Sequence, residues 1–253
     1  MITLLSPAKT LDFDTSFNTF VSQPQLIDES TRLIDTLKHK DQKNIMALMK
    51  VSAALAELNV ERYHKFHLPF TRDNAKPALL AFKGDVYQGL QAETFDADDL
   101  AFAQDHLRIL SGLYGALRPL DLIQPYRLEM GTRLETARGK NLYEFWGDRI
   151  TDLLNQQIAE QGHKLILNLA SNEYFKSVNV KALHAPVVNI HFKEQRGEAL
   201  KVIAFNAKKA RGAMSRAIIL ERINEPEALK SLTINGYTYE AAGSDDHNML
   251  FVK

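Results

Sequence analysis

Leu165-Ile166-Leu167-Asn168-Leu169-Ala170-Ser171-Asn172-Glu173-Tyr174-Phe175-Lys176 is the stretch on which the fold turns. Its first five residues are a short, nearly continuous apolar run, as expected of a strand buried on both faces of a sheet. A polar turn follows at once. Two other segments repeat the pattern. Ile2–Leu5 leads into Ser6-Pro7-Ala8-Lys9-Thr10, and residues 107–110 lead into Ser111-Gly112-Leu113-Tyr114-Gly115. If the three strands run parallel, their polar ends converge on one edge, where ligands sit in open α/β sheets. Each turn alone is also explained by helix capping, since Ser, Asn and Gly commonly occupy such turns.

Working outward, helical spacing covers Leu26, Leu33, Ile34 and Leu37, with Ser22 and Pro24 resembling a helix start. Further helices are expected over residues 42–50, 53–66, 96–106, 142–161 and 208–222, the fourth stopped by Gly162. Residues 187–192 and 200–205 read as strands joined by Gln195-Arg196-Gly197, and 237–240 with 249–252 as a terminal hairpin. Strands and helices alternate without repeats or a Gly/Ser linker. The expectation is an α/β protein of one domain, residues 1–253, with a mixed central sheet and surrounding helices.

Composition narrows the function. Among 253 residues, 31 Lys and Arg balance 31 Asp and Glu, so a uniformly basic coat is excluded and any polyanion site needs local charge segregation. There is no cysteine, which removes disulfides, thiolate catalysis and iron–sulfur ligation. The N-terminal residues lack signal-peptide character and no apolar run is long enough for a bilayer, so a cytoplasmic protein with no membrane partner is expected. Walker loops, zinc spacings and nucleophile elbows are absent. His64 and His67 have no partner segment, and Asp245-Asp246-His247 fits a polar hairpin loop, so no metal and no cofactor is expected.

Cations and rings cluster in four places. Residues 110–131 mix Gly112 and Gly115 with Tyr114, Arg118, Tyr126, Arg127 and Glu129, an arrangement suited to a flat or anionic ligand. In Ala81-Phe82-Lys83-Gly84-Asp85-Val86-Tyr87, a turn at Gly84 is expected to aim Lys83 and Asp85 into one space, as structural glue or as an acid–base pair. On a helix over 208–222, Lys208, Arg211 and Ser215 share a face, while Ala210, Gly212 and Ala213 keep the surface low enough for a bulky anion. Two helices within 42–66, separated by a very short turn, suggest a helix-hairpin-helix. Ser52-Ala53-Ala54 stands where its glycines usually are.

The chain resembles the YaaA family of bacterial peroxide-stress proteins. The resemblance rests on Ser6-Pro7-Ala8-Lys9-Thr10-Leu11-Asp12, on residues 81–87 and 110–131, on Leu142-Tyr143-Glu144-Phe145-Trp146-Gly147-Asp148, on residues 168–178, and on Ala207-Lys208-Lys209-Ala210-Arg211-Gly212. It implies a single-domain α/β fold of unusual topology with a positively charged cleft. It also implies binding to duplex or branched DNA, and a helix-hairpin-helix-like element at about residues 42–66. Physiologically it implies limiting DNA damage and free iron under hydrogen peroxide; no iron site is evident, so the iron effect reads as indirect.

Two main functions follow as expectations. In the first, the protein binds DNA phosphates through Lys9, Lys83, Arg118, Arg127, Lys176, Lys208, Lys209 and Arg211. In the second, an enzyme acts on a nucleobase or nucleotide in the same cleft. Tyr114, Tyr126 or Tyr174 would stack the base and Asp85 or Glu129 would move protons, while Lys9 or Lys83 would form a Schiff base. A protein-interaction role in stress regulation is the third reading.

Overall fold

The computed structural model describes residues 1–253. Nine strands make the main sheet: β1 (Ile2–Leu5), β2 (Leu107–Ser111), β3 (Gly115–Leu117), β4 (Ile166–Asn168), β5 (Val187–Arg196), β6 (Ala199–Lys201), β7 (Thr233–Ile234), β8 (Tyr237–Asp245) and β9 (Asn248–Val252). Their order is β7-β8-β9-β5-β4-β1-β2-β3, with β6 paired to β5. The central run β9-β5-β4-β1-β2 is parallel throughout, and antiparallel strands close both sides. This is the mixed α/β sheet that the alternation of elements predicts. β1, β2 and β4 are buried along their whole length, as strands covered on both faces must be.

The helices that matter for the site are α1 (Ile27–Lys38), α2 (Gln42–Met49), α3 (Ala53–Lys65), α4 (Asp85–Leu90), α5 (Ala97–His106), α6 (Leu142–Trp146), α7 (Arg149–Gln161) and α8 (Ala204–Leu220). One connected apolar core runs from Met1 to Phe251, which makes the chain a single domain. The starts of α2 and α5 follow from their caps. Asp41 accepts from the Asn44 amide, Asp96 from the Asp99 amide, and in each the third helical residue reaches back to close a capping box.

Four expectations change. The helix expected after Ser22 and Pro24 starts later, at Ile27, because Ser22 donates its hydroxyl to Asp121 (2.6 Å) instead of capping. The single helix expected over 142–161 is two, since Gly147 takes a positive φ of 49° that no helix continues. Residues 200–205 are not a strand: β6 ends at Lys201 and α8 begins at Ala204. Consequently Lys208 lies in the second turn of α8 rather than at its start, and the dipole penalty expected for cations there largely disappears.

Candidate functional site

The three polar strand ends meet, because β4, β1 and β2 are neighbours in register. Leu4 pairs with Asn168 and Leu5 with Ile109, so all three chains leave the sheet on one edge. Much of their polarity is used to build the turns. The Ser111 hydroxyl accepts from the amides of Leu113 (3.2 Å) and Tyr114 (3.0 Å) and lies 2.6 Å from the Tyr126 hydroxyl. The Asn168 side chain accepts from the Ala170 amide and donates to Asn189. Ser6 accepts from the Ser171 amide (2.8 Å), while its carbonyl accepts from Tyr87 (3.1 Å).

Beside these turns, residues 126–131 are stitched into a wall. Glu129 receives Lys9 at 2.7 Å on one oxygen and Arg127 at 2.9 Å on the other. Glu173 accepts from the Gly131 amide (2.9 Å), and its own carbonyl accepts from Tyr143. Gly112 is required for a reason internal to the fold. A Cβ there would lie 2.3 Å from the Leu128 carbonyl oxygen, so the close approach is chain against chain rather than chain against ligand.

The tyrosines expected to stack a base are core residues. Tyr114 is wholly buried, packed edge-on against Tyr126 at 5.1 Å between centroids; Tyr126 and Tyr174 are buried as well. Burial pushes all three hydroxyls well above their ordinary range. The exposed rings are elsewhere, on Phe20 and on Phe205, of which Phe205 is 52% accessible and carries the Lys209 ammonium 4.5 Å from its centroid. Reading residues 200–205 as a strand hides the Phe205 ring.

The expected Lys83–Asp85 pair does not form. Gly84 sits against Ala8 at the turn, and the two side chains take different partners. Lys83 binds Asp12 at 2.7 Å, while Asp85 at the head of α4 faces Lys208 at 4.0 Å. Asp12, which the motif pattern does not single out, is the hub. It also accepts from the amides of Asp14 and Thr15 and the Thr15 hydroxyl, and lies 3.6 Å from the buried ammonium of Lys76. The Lys83 bond, then the Thr15 bonds, hold its carboxyl far below the usual carboxylate range, and Asp12 raises Lys83 in return.

Other expected cations divide into committed and free. Arg118 is spent on the fully buried Asp121 (2.8 Å) and on the Gln23 carbonyl (2.9 Å), so it braces a loop rather than waiting for phosphate. Lys176 is exposed and unpaired, and Lys208 is exposed with only its long contact to Asp85. A cleft of about 560 Å3 opens at the Lys83 turn, lined by Asp12, Asn18, Lys83, Gln88 and Phe82 among others. Asp245-Asp246-His247 forms the β8–β9 turn, with Asp245 accepting from the His247 amide.

The helical pair is anchored to this region. Lys50 turns the chain between α2 and α3 with a positive φ of 53°, and the Ser52 hydroxyl caps Leu55. At the far end of α3, the buried Tyr63 hydroxyl donates to the Arg127 carbonyl (2.5 Å). The hairpin is thus tied to the wall that carries Glu129.

Known families supply the remaining constraint. A family model described as peroxide stress protein YaaA matches residues 1–243. The chain belongs to the peroxide stress protein YaaA family. Membership of the YaaA family agrees with an oxidative-stress role, and the match covers every position of the site just described except the Asp245-Asp246-His247 turn. No helix is long and apolar enough to cross a membrane.

Proposed function

We propose that the protein binds duplex or branched DNA in the cytoplasm during peroxide stress and thereby limits oxidative damage, with any fall in free iron an indirect effect. The observation that carries this reading is the separation of cations. Lys9, Lys83, Arg118 and Arg127 have carboxylate partners within 3 Å, whereas Lys176 is exposed and unpaired and Lys208 and Lys209 lack a close carboxylate. The exposed Phe205 ring beside Lys209 offers a surface for an unpaired base at a branch or end. The α2–α3 turn adds amide donors, because the first amides of α3 have no intrahelical acceptor and Ser52, Ala53 and Ala54 are exposed.

The test is a salt titration of DNA binding by fluorescence anisotropy. Replacing Lys176, Lys208 and Lys209 together by Ala should weaken binding to every sequence and reduce the log–log salt slope by about 3, one unit for each phosphate no longer neutralised. An unchanged affinity and slope would refute the assignment.

The cleft favours a second reading, an enzyme acting on a nucleobase or nucleotide. About 560 Å3 is the size of a small-ligand site, and Asn18, Gln88 and Lys83 line it. Within that reading Lys83 is a poor Schiff-base nucleophile, because Asp12 holds it charged. Borohydride trapping on an abasic duplex separates the two readings. Under simple DNA binding no covalent adduct forms.

A further inference from the structure

Arg211, which is half-buried, differs from Arg108, the arginine buried in the core of this protein. Arg108 is wholly buried, and its nitrogens donate to the Gln157 side chain and to the carbonyls of Gln104 and Leu107. Arg211 makes no hydrogen bond and no ion pair with its side chain. Its Nε is sealed from solvent without an acceptor, and among its three nitrogens only Nε is sealed in this way. Its position on α8 explains the burial. Ala207 and Ser215 lie four residues away, Met214 three and Ile218 seven, all buried and all on the face that Arg211 shares. Burial lowers its guanidinium, and no carboxylate acts against that.

The sealed Nε has given up water without gaining an acceptor, and that costs stability until an oxygen meets it. The Nη end is the forked, two-donor side that matches the oxygens of a phosphoryl group. Lys208 stands one turn earlier on the same face and is 56% exposed. We propose that Arg211 anchors a tetrahedral oxyanion site for a phosphate group, with Lys208 as its second charge at the mouth. The source of the phosphate, a DNA backbone or a free phosphate or nucleotide, rests on the DNA-binding reading; the site itself does not.

The experiment is thermal melting of the full chain in chloride buffer, titrated with inorganic phosphate. The expected result is a saturable rise in Tm for the wild type, a smaller one for Arg211→Lys and none for Arg211→Met. Arg211→Met should also melt at or above the wild type without phosphate, since it removes a sealed donor that has no acceptor. Lys181→Ala, at an exposed lysine on another element, should keep the full rise. An equal rise in wild type and Arg211→Met, or no rise in the wild type, would overturn the proposal. So would an Arg211→Met variant that melts below the wild type in chloride alone. Duplex DNA then separates the sources. If phosphate displaces it from the wild type more than from Arg211→Met, the site takes a backbone phosphate; otherwise it takes the free anion. Failure of DNA binding itself leaves the phosphate-dependent melting unchanged.

Discussion

Asp12 decides the local electrostatics at the edge of the cleft, and its behaviour is testable on stability alone. Its carboxylate is 9% exposed and faces Lys76, itself 5% exposed, so each charge has little water and depends on the other. Asp12→Ala strands the Lys76 ammonium, and loss of one partner of a buried pair costs about 3–5 kcal/mol. Urea unfolding should show that loss. Adding Lys76→Met should recover part of it, while the turn bonds that Asp12 makes to Asp14 and Thr15 stay broken. Strictly additive single and double variants would mean that the two charges do not interact. The pH dependence has a definite sign. A carboxyl held below its unfolded value contributes stability that is complete above a pH of about 4 and drains away as pH falls through the folded value. Asp12→Asn should therefore flatten the acid limb of the stability curve and leave stability differences constant above neutrality.

Between elements, the contact that sets the position of the free lysines is the crossing of α4 and α8. Two glycines make it possible. A Cβ on Gly212 would lie 1.7 Å from the Val86 carbonyl oxygen, and one on Gly89 would lie 2.2 Å from the Lys209 carbonyl oxygen. Gly212→Ala must push the helices apart, at a cost of about 1–3 kcal/mol or more, and it shifts Lys208 away from Asp85. Melting temperature and DNA affinity should fall together; a variant as stable as wild type would show that the crossing tolerates a methyl group. This crossing is only half legible in the sequence. Small residues around Lys208 and Arg211 suggest a low surface for an anion, whereas Gly212 keeps that face low for a helix. The buried strands are legible because a continuous apolar run has few other uses. The break at Gly147 is not, because the apolar spacing of α6 and α7 stays nearly in phase across it, so only the backbone reveals two helices.

Across the whole molecule, what the sequence leaves open is which charges are already spent. Local motifs place Lys9, Lys83 and Arg118 among glycines, prolines and rings just as they place Lys208 and Lys209. Their partners Glu129, Asp12 and Asp121 are found only by folding; even Asp121, three residues from Arg118, reads in sequence as one more loop carboxylate. The overall balance of 31 against 31 charges makes the distinction decisive, since a neutral protein has no general field to draw in DNA and must rely on specific unpaired cations. A matched pair of variants measures this. Lys9→Ala and Lys209→Ala each lower the net charge by one. In the first, Glu129 keeps Arg127 at 2.9 Å, so the only change is removal of an ammonium that was already neutralised. In the second, a lysine with no carboxylate partner is removed from beside the exposed Phe205. Duplex affinity at low salt should stay within about twofold of wild type for Lys9→Ala and fall by roughly three- to tenfold for Lys209→Ala, with the salt slope lowered by about one unit in the second alone. Equal losses would mean that net charge, rather than the unpaired lysines around α8, governs DNA binding.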